Sequence, residues 1–196
     1  MQTDKPQGQR IGWLRLDTDY PFTYHMYRIR RDRVRLPSGV ETDYAYMETK
    51  GAVWVVPVTD DGRIILIKQY RYAVDDWTWE VPAGGKHDHT GTDEELARRE
   101  LGEEVGATCR SLEKVGWFYG AVSTNTSRCE VFLARGAQLG GASHREPGEI
   151  IEVHPVSKDA ALAMARNGEI KDGKSALALL MCEAYLKGKF SSFLYS

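Results

Sequence analysis

Cysteine is scarce. Cys109, Cys129 and Cys182 are the only three in 196 residues, an odd number without C-x-x-C spacing. That pattern excludes a disulfide framework and a cysteine-built zinc site, and fits free thiols in a reducing compartment. Surplus charge is also missing: 26 Lys and Arg face 28 Asp and Glu, a net −2. A nucleic-acid binder usually carries a strong basic excess, so that class of partner is set aside. No long apolar run exists either. Ala52 to Val58, seven residues, is the longest candidate, far short of the roughly 18 that would span a bilayer. The opening MQTDKPQGQR lacks the apolar core of a secretory signal, so a cytoplasmic protein with no membrane role is expected. Repeats and low-complexity tracts are absent as well. What remains is ordinary globular composition, 42% hydrophobic and 28% charged, at a length suited to one domain plus an appended element.

Residues 1–20 show no clear periodicity and read as an arm. Strand-like runs follow at Tyr24–Arg30, Arg33–Leu36 and Val40–Met47, with a turn at Pro37-Ser38-Gly39. Ala52–Val58 and Ile64–Tyr70 flank Asp61-Gly62, a hairpin signal. Trp77–Pro82 is a further strand ending in a loop from Ala83 to Thr92. Asp93–Val105 reads as a helix, capped by Thr92 or Asp93 and stopped by Gly106. Strands at Leu112–Tyr119, Ser127–Ala134 and Glu149–Val156 come next, then helices at Ser157–Asn167 and Lys174–Lys187. This order predicts an α/β (α+β) sandwich: a mixed sheet with flanking helices, plus an N-terminal antiparallel sheet. The corresponding division is 1–48 for the N-terminal arm and strands, and 49–196 for the main domain.

On a wheel of about 100° per residue, Ala97, Leu101 and Val105 form an apolar stripe. Glu100 and Glu104 fall beside it, and Glu103 lies nearer the solvent pole. Like charges at i, i+3 and i+4 destabilise a helix. Carboxylates at the edge of a buried face lose hydration and call for a cation. A hard divalent ion such as Mg²⁺ takes a few carboxylate oxygens and keeps several waters, which suits this set.

At these residues the sequence resembles the Nudix hydrolase family. Arg99-Glu100-Leu101-Gly102-Glu103-Glu104-Val105-Gly106-Ala107 matches R-E-U-x-E-E-x-G-U, U apolar, at every fixed position. The first half, G-x5-E-x7 before that Arg, departs: Gly91 or Thr92 stands where the family has Glu. The resemblance implies the Nudix fold, Glu100 and Glu104 as ligands of Mg²⁺ (Mn²⁺ a possible substitute), Glu103 in or beside the cluster, and Arg99 bracing the loop.

Gly51-Ala52-Val53, Gln69-Tyr70-Arg71, Trp79-Glu80-Val81-Pro82-Ala83-Gly84 and Phe132-Leu133-Ala134 resemble one branch of that family, the ADP-ribose and nucleoside-diphosphate-sugar pyrophosphatases. So does Glu149-Ile150-Ile151-Glu152-Val153. The implied activity is hydrolysis of a nucleoside diphosphate–X to a nucleoside monophosphate and phospho-X. The alternative is a nucleotide-binding or sensing module with little turnover. The branch implies that Ala83 offers its carbonyl to metal, that Gly84 lies in the substrate loop and that Arg71 contacts the diphosphate or its sugars. Glu149 is its first acid for base or metal ligand and Glu146 its second. Where the branch often carries a substrate-contacting Glu this chain has Ser127, followed by Arg128, which implies a permissive pocket leaning towards anionic groups. Relatives are usually homodimers joined through an N-terminal sheet. Gly84-Gly85-Lys86 is followed by His87 and is no P-loop. His87-Asp88-His89 reads as a polar loop rather than a transition-metal site, since borderline metals, not the Mg²⁺ of phosphate chemistry, prefer such nitrogen ligands, and Gly141-Ala142-Ser143-His144 lacks the last Gly of a nucleophile elbow.

Overall fold

A computed structural model of the chain describes residues 5–87, 89–145 and 148–188. Two compact units emerge, Met1–Gly51 with Tyr119–Ser127, and Ala52–Phe118 with Arg128–Ser196.

In the first unit, helix α1 (Pro6–Arg10) precedes three antiparallel strands, β1 (Leu14–Tyr24), β2 (Tyr27–Arg35) and β3 (Glu41–Glu48), ordered β1-β2-β3. Among its described residues the expected arm is helical at Pro6–Arg10 and joins strand β1 from Leu14 on. Its alternation is hidden because register shifts fall between Arg15 and Asp17 and between Asp19 and Phe22, so no single period covers it. The chain also turns at His25, φ 48°, inside the run expected as one strand. Arg30 and Asp32, both 1% exposed, hold β2 together where a break was expected. Arg30 Nε donates to Asp32 at 2.8 Å, and Asp32 also accepts from Thr18 (2.6 Å) and from the Tyr46 hydroxyl (3.3 Å). Burial, with Asp32 nearby, pushes the Tyr46 phenol up to about 12. Buried charges of this kind persist only when paired and hydrogen-bonded.

The second unit is a seven-stranded mixed sheet between helices. Its strands are β4 (Ala52–Val58), β5 (Arg63–Arg71), β6 (Asp76–Glu80), β7 (Ala83–Gly85), β9 (Ser111–Tyr119), β10 (Arg128–Arg135) and β12 (Ile151–Ser157). The order is β12-β5-β4-β10-β9, with β6 on β5 and β7 on β4; β4–β10 is parallel. A two-stranded ribbon pairs β8 (Ala107–Thr108) with β11 (Gln138–Leu139). Side-chain alternation sorts the two faces. Val53, Val55, Ile65, Ile67 and Phe132 pack under helix α2 (Asp93–Val105) through Leu96, Ala97 and Leu101. Trp54, Val56, Ile64, Leu66 and Val131 pack against α3 (Lys158–Asn167) and α4 (Gly173–Leu186). None of the described helices is long and apolar enough to cross a membrane.

Candidate active site

Helix α2 starts on a capping box. Thr92 accepts from the Glu95 N–H at 3.2 Å, and the Glu95 carboxylate accepts from the Thr92 N–H at 2.7 Å. Gly106 ends the helix in the left-handed region, φ 62°. Between these caps the apolar stripe fixes the rotation, and Glu100 and Glu104 go under with it, 9% and 3% exposed. Glu103 stays half-exposed, 3.6 Å from Arg99. Arg99 also donates to Glu100 at 3.0 Å. It serves the carboxylates of its own helix.

Strand β7 lies in the segment expected to be loop. Three residues suffice because β4 holds them: Val53 pairs with Gly84 and Trp54 with Ala83. The Ala83 N–H donates to Glu104 at 3.1 Å. A Cβ on Gly84 would overlap the Glu100 carboxylate, so glycine here lets backbone and carboxylate meet. The stretch is braced from behind by α4. The Val81 N–H donates to Ser175 Oγ (3.1 Å), which donates to the helix-capping Asp172 (2.6 Å).

Burial raises the Glu100 carboxyl above the ordinary Glu value; Arg99 opposes this and Glu103 and Glu149 add to it. Burial likewise drives Glu104 well up, with the Ala83 N–H opposing and Glu100 and Glu149 reinforcing. Glu149, from the loop before β12, thus acts in the field of both helix carboxylates. That loop is stitched to α2. The His144 N–H donates to Glu103 O (3.0 Å), and Arg145 donates to Glu104 O (2.9 Å) and to Ile151 O (2.6 Å). Glu146 lies outside the described residues. Among the described residues no three acidic, imidazole or thiol side chains meet at one point. The donor set nonetheless suits a hard divalent ion: two buried, mutually repelling carboxylates, Glu100 against Gly84 and Glu104 on the Ala83 N–H.

Arg71 sits in a bidentate pair with Glu80, at 2.8 and 2.5 Å, and Thr78 donates to the same Glu80 at 2.5 Å. Glu80, only 4% exposed, fixes the guanidinium plane while leaving its outer edge in solvent. Ser127 belongs to the first unit, where its N–H donates to the Asn125 side chain at 2.9 Å and its carbonyl accepts from the Gly120 N–H at 3.0 Å. Arg128 opens β10 and pairs with Glu130 at 2.7 Å. Glu80, Ser175 and Arg145 were not singled out by sequence. A Glu inside an apolar strand was a usable signal for the first, and nothing local marked the other two.

A family model described as NUDIX domain matches residues 48–177. The chain is 35% identical over 147 residues to an ADP-ribose pyrophosphatase of Bacillus subtilis (strain 168), spanning 74% of this chain and 79% of that one. It is 30% identical over 167 residues to an ADP-ribose pyrophosphatase of Mycobacterium tuberculosis (strain ATCC 25618 / H37Rv), spanning 83% and 79%. A solved structure described as an ADP compounds hydrolase superposes with TM-score 0.79 over 90% of this chain and 95% of that one; at 22% identity the likeness is one of fold.

Proposed function

The chain belongs to the Nudix family, in its ADP-ribose pyrophosphatase branch, and from that premise we propose a Mg²⁺-dependent pyrophosphatase acting on ADP-ribose and other nucleoside diphosphate sugars. It is a hydrolase of phosphorus anhydrides in nucleoside diphosphate compounds, using a divalent metal. The observation carrying the finer reading is the buried pair Glu100 and Glu104 beside Gly84. Glu100, Glu104 and the Ala83 carbonyl would hold Mg²⁺ (Mn²⁺ in its place), with Glu103 beside them and Glu149 as a further ligand where Glu146 is the base. When bound, the metal supplies Lewis-acid charge for the attacking water and the leaving phosphate.

The rest falls to the protein's own side chains. Arg71, pre-set by Glu80, clamps diphosphate oxygens. Glu149 takes the proton of the attacking water, with Glu146 as second choice for base. Gly84 lets the substrate approach the backbone, and Arg128 faces the group X. Replacing a Glu by Ser127 removes a charged acceptor that would discriminate between sugars, because selectivity comes from buried polar groups left unpaired by the wrong ligand.

A panel of nucleotide sugars assayed with Mg²⁺, with phosphate read after adding phosphatase, tests this. ADP-ribose should be hydrolysed, other nucleoside diphosphate sugars comparably. EDTA should abolish turnover, and Mg²⁺ or Mn²⁺ should restore it. A thousandfold preference for ADP-ribose in kcat/KM, about 4 kcal/mol, would overturn the permissive pocket. Tight binding without turnover would favour the sensing module.

Residues 1–48 are the proposed dimerisation element. Their three-stranded sheet exposes Leu14, Leu16, Phe22, Tyr24 and Tyr27, more apolar surface than a small sheet usually leaves in water. Deletion through Met47 should give insoluble or dissociated protein by size-exclusion chromatography, and a soluble, active monomer would refute the assignment.

A further inference from the structure

Three cations in the second unit surround a single buried acid that the mechanism does not use. Glu130, 3% exposed, stands two residues before Phe132 and so shares the sheet face under α2. Three cations from three elements converge on it: Arg128 Nε at 2.7 Å from β10, Lys114 Nζ at 2.9 Å from β9, and Lys86 Nζ at 3.8 Å from the segment after β7. Lys86 also meets Asp93 at 2.7 Å. Two carboxylates thus face three cations. Fixing Glu130 in the sheet requires one partner, and a buried carboxylate gains little from two more that stay in water. Yet the Arg128 and Lys114 side chains remain 47% and 45% exposed, and Arg128 lies 4.2 Å above the Trp117 ring, which holds its plane.

Position supplies the second argument. On β4, Val53 pairs with Gly84 on one side and Glu130 on the other. Strands lie about 4.8 Å apart, so Glu130 is about 10 Å from the glycine on which Glu100 rests. That gap is of the order of one sugar ring with its substituents. We propose that Lys86, Lys114 and Arg128, gathered on Glu130, form a subsite for an anionic group, carboxylate or phosphate, carried on the X moiety. The proposal deepens the pyrophosphatase reading and rests on it for the identity of X. Glu130 acts as a positioning residue that spreads the cations, and Arg128 and Lys114 contact the anion.

Two substrate pairs separate the possibilities, UDP-glucose with UDP-glucuronate and NADH with NADPH. The first differs by a carboxylate on X, the second by a phosphate on the nucleoside ribose. Wild-type protein should favour UDP-glucuronate over UDP-glucose by about fivefold in kcat/KM, the scale of one or two half-exposed ion pairs. The preference should vanish in Lys114→Met, persist in Lys114→Arg and fade with added salt. Calorimetry of both UDP-sugars in EDTA reads the same ratio as a Kd without turnover, so failure of the pyrophosphatase reading and of the subsite are told apart. Equal binding of the two UDP-sugars, or a preference confined to NADPH over NADH, would overturn the proposal. So would a glucuronate preference unchanged in Lys114→Met.

Discussion

Glu104→Gln should cut kcat/KM by about a thousandfold, the several kcal/mol that charge stabilisation by a held metal supplies, and should stabilise the metal-free protein at neutral pH. The two effects share a cause. Glu104 is buried beside Glu100 and within the field of Glu149, so its folded-state pKa is raised well above 4.5. A raised carboxyl pKa means the folded chain binds the proton more tightly than the unfolded one. The resulting stability is complete below the ordinary Glu value and is lost as the pH climbs through the raised one. Gln resembles the protonated acid and escapes that loss. In EDTA the Tm of Glu104→Gln should therefore match wild type in acid and exceed it increasingly towards pH 8. Saturating metal reverses the order: at a hundred times its Kd a ligand adds about 2.7 kcal/mol, which only wild type collects. Glu100→Gln should lose comparable activity, and Glu103→Gln, whose side chain is half in solvent beside Arg99, should be milder. Near-wild-type turnover in Glu104→Gln would sink the metal assignment.

Helix α2 was legible because its determinants are local. Leu96, Ala97, Leu101 and Val105 set the rotation, and the same periodicity that buries them puts Glu100 and Glu104 under and leaves Glu103 out. Thr92 and Gly106 set its ends. Strand β1 was opaque because charges sit along it and its register slips, so its partners lie elsewhere: Arg31 on β2 takes Asp19 in a two-point pair at 2.9 and 2.5 Å. The support of the site was opaque for the same reason. Arg71 depends on Glu80 across a hairpin. Val81 is held by Ser175, 94 residues further on. Arg145 links the Glu104 carbonyl to the loop leading into β12. Such contacts follow from strand register and helix docking, which no window of sequence contains. Where the signature Glu is missing, Thr92 and Glu95 still cap the helix.

Glycine at two positions of this site should answer alanine in opposite ways. Gly84 lies on β7 with the Glu100 carboxylate against its Cα, and an added methyl would occupy the space of the Glu100 carboxyl carbon. Backbone cannot yield there, because Gly84 is paired to Val53 and flanked by Ala83, whose N–H holds Glu104. Glu100 must swing out instead. A carboxylate at the end of a flexible side chain yields at little cost in stability, but displacing a positioned group by roughly 1 Å costs about a hundredfold in rate. Gly84→Ala should thus lose at least that much kcat and require more metal for half-saturation. Gly102 lies in the same helix as the carboxylates but meets only the Ala107 carbonyl, 4.0 Å from an added Cβ. Ala favours a helix interior over Gly by about 0.8–1.0 kcal/mol, so Gly102→Ala should raise Tm and keep turnover within about twofold. Metal titrations of both variants decide the matter. If Gly84→Ala binds metal and turns over like Gly102→Ala, the glycine cradle has no part in placing Glu100.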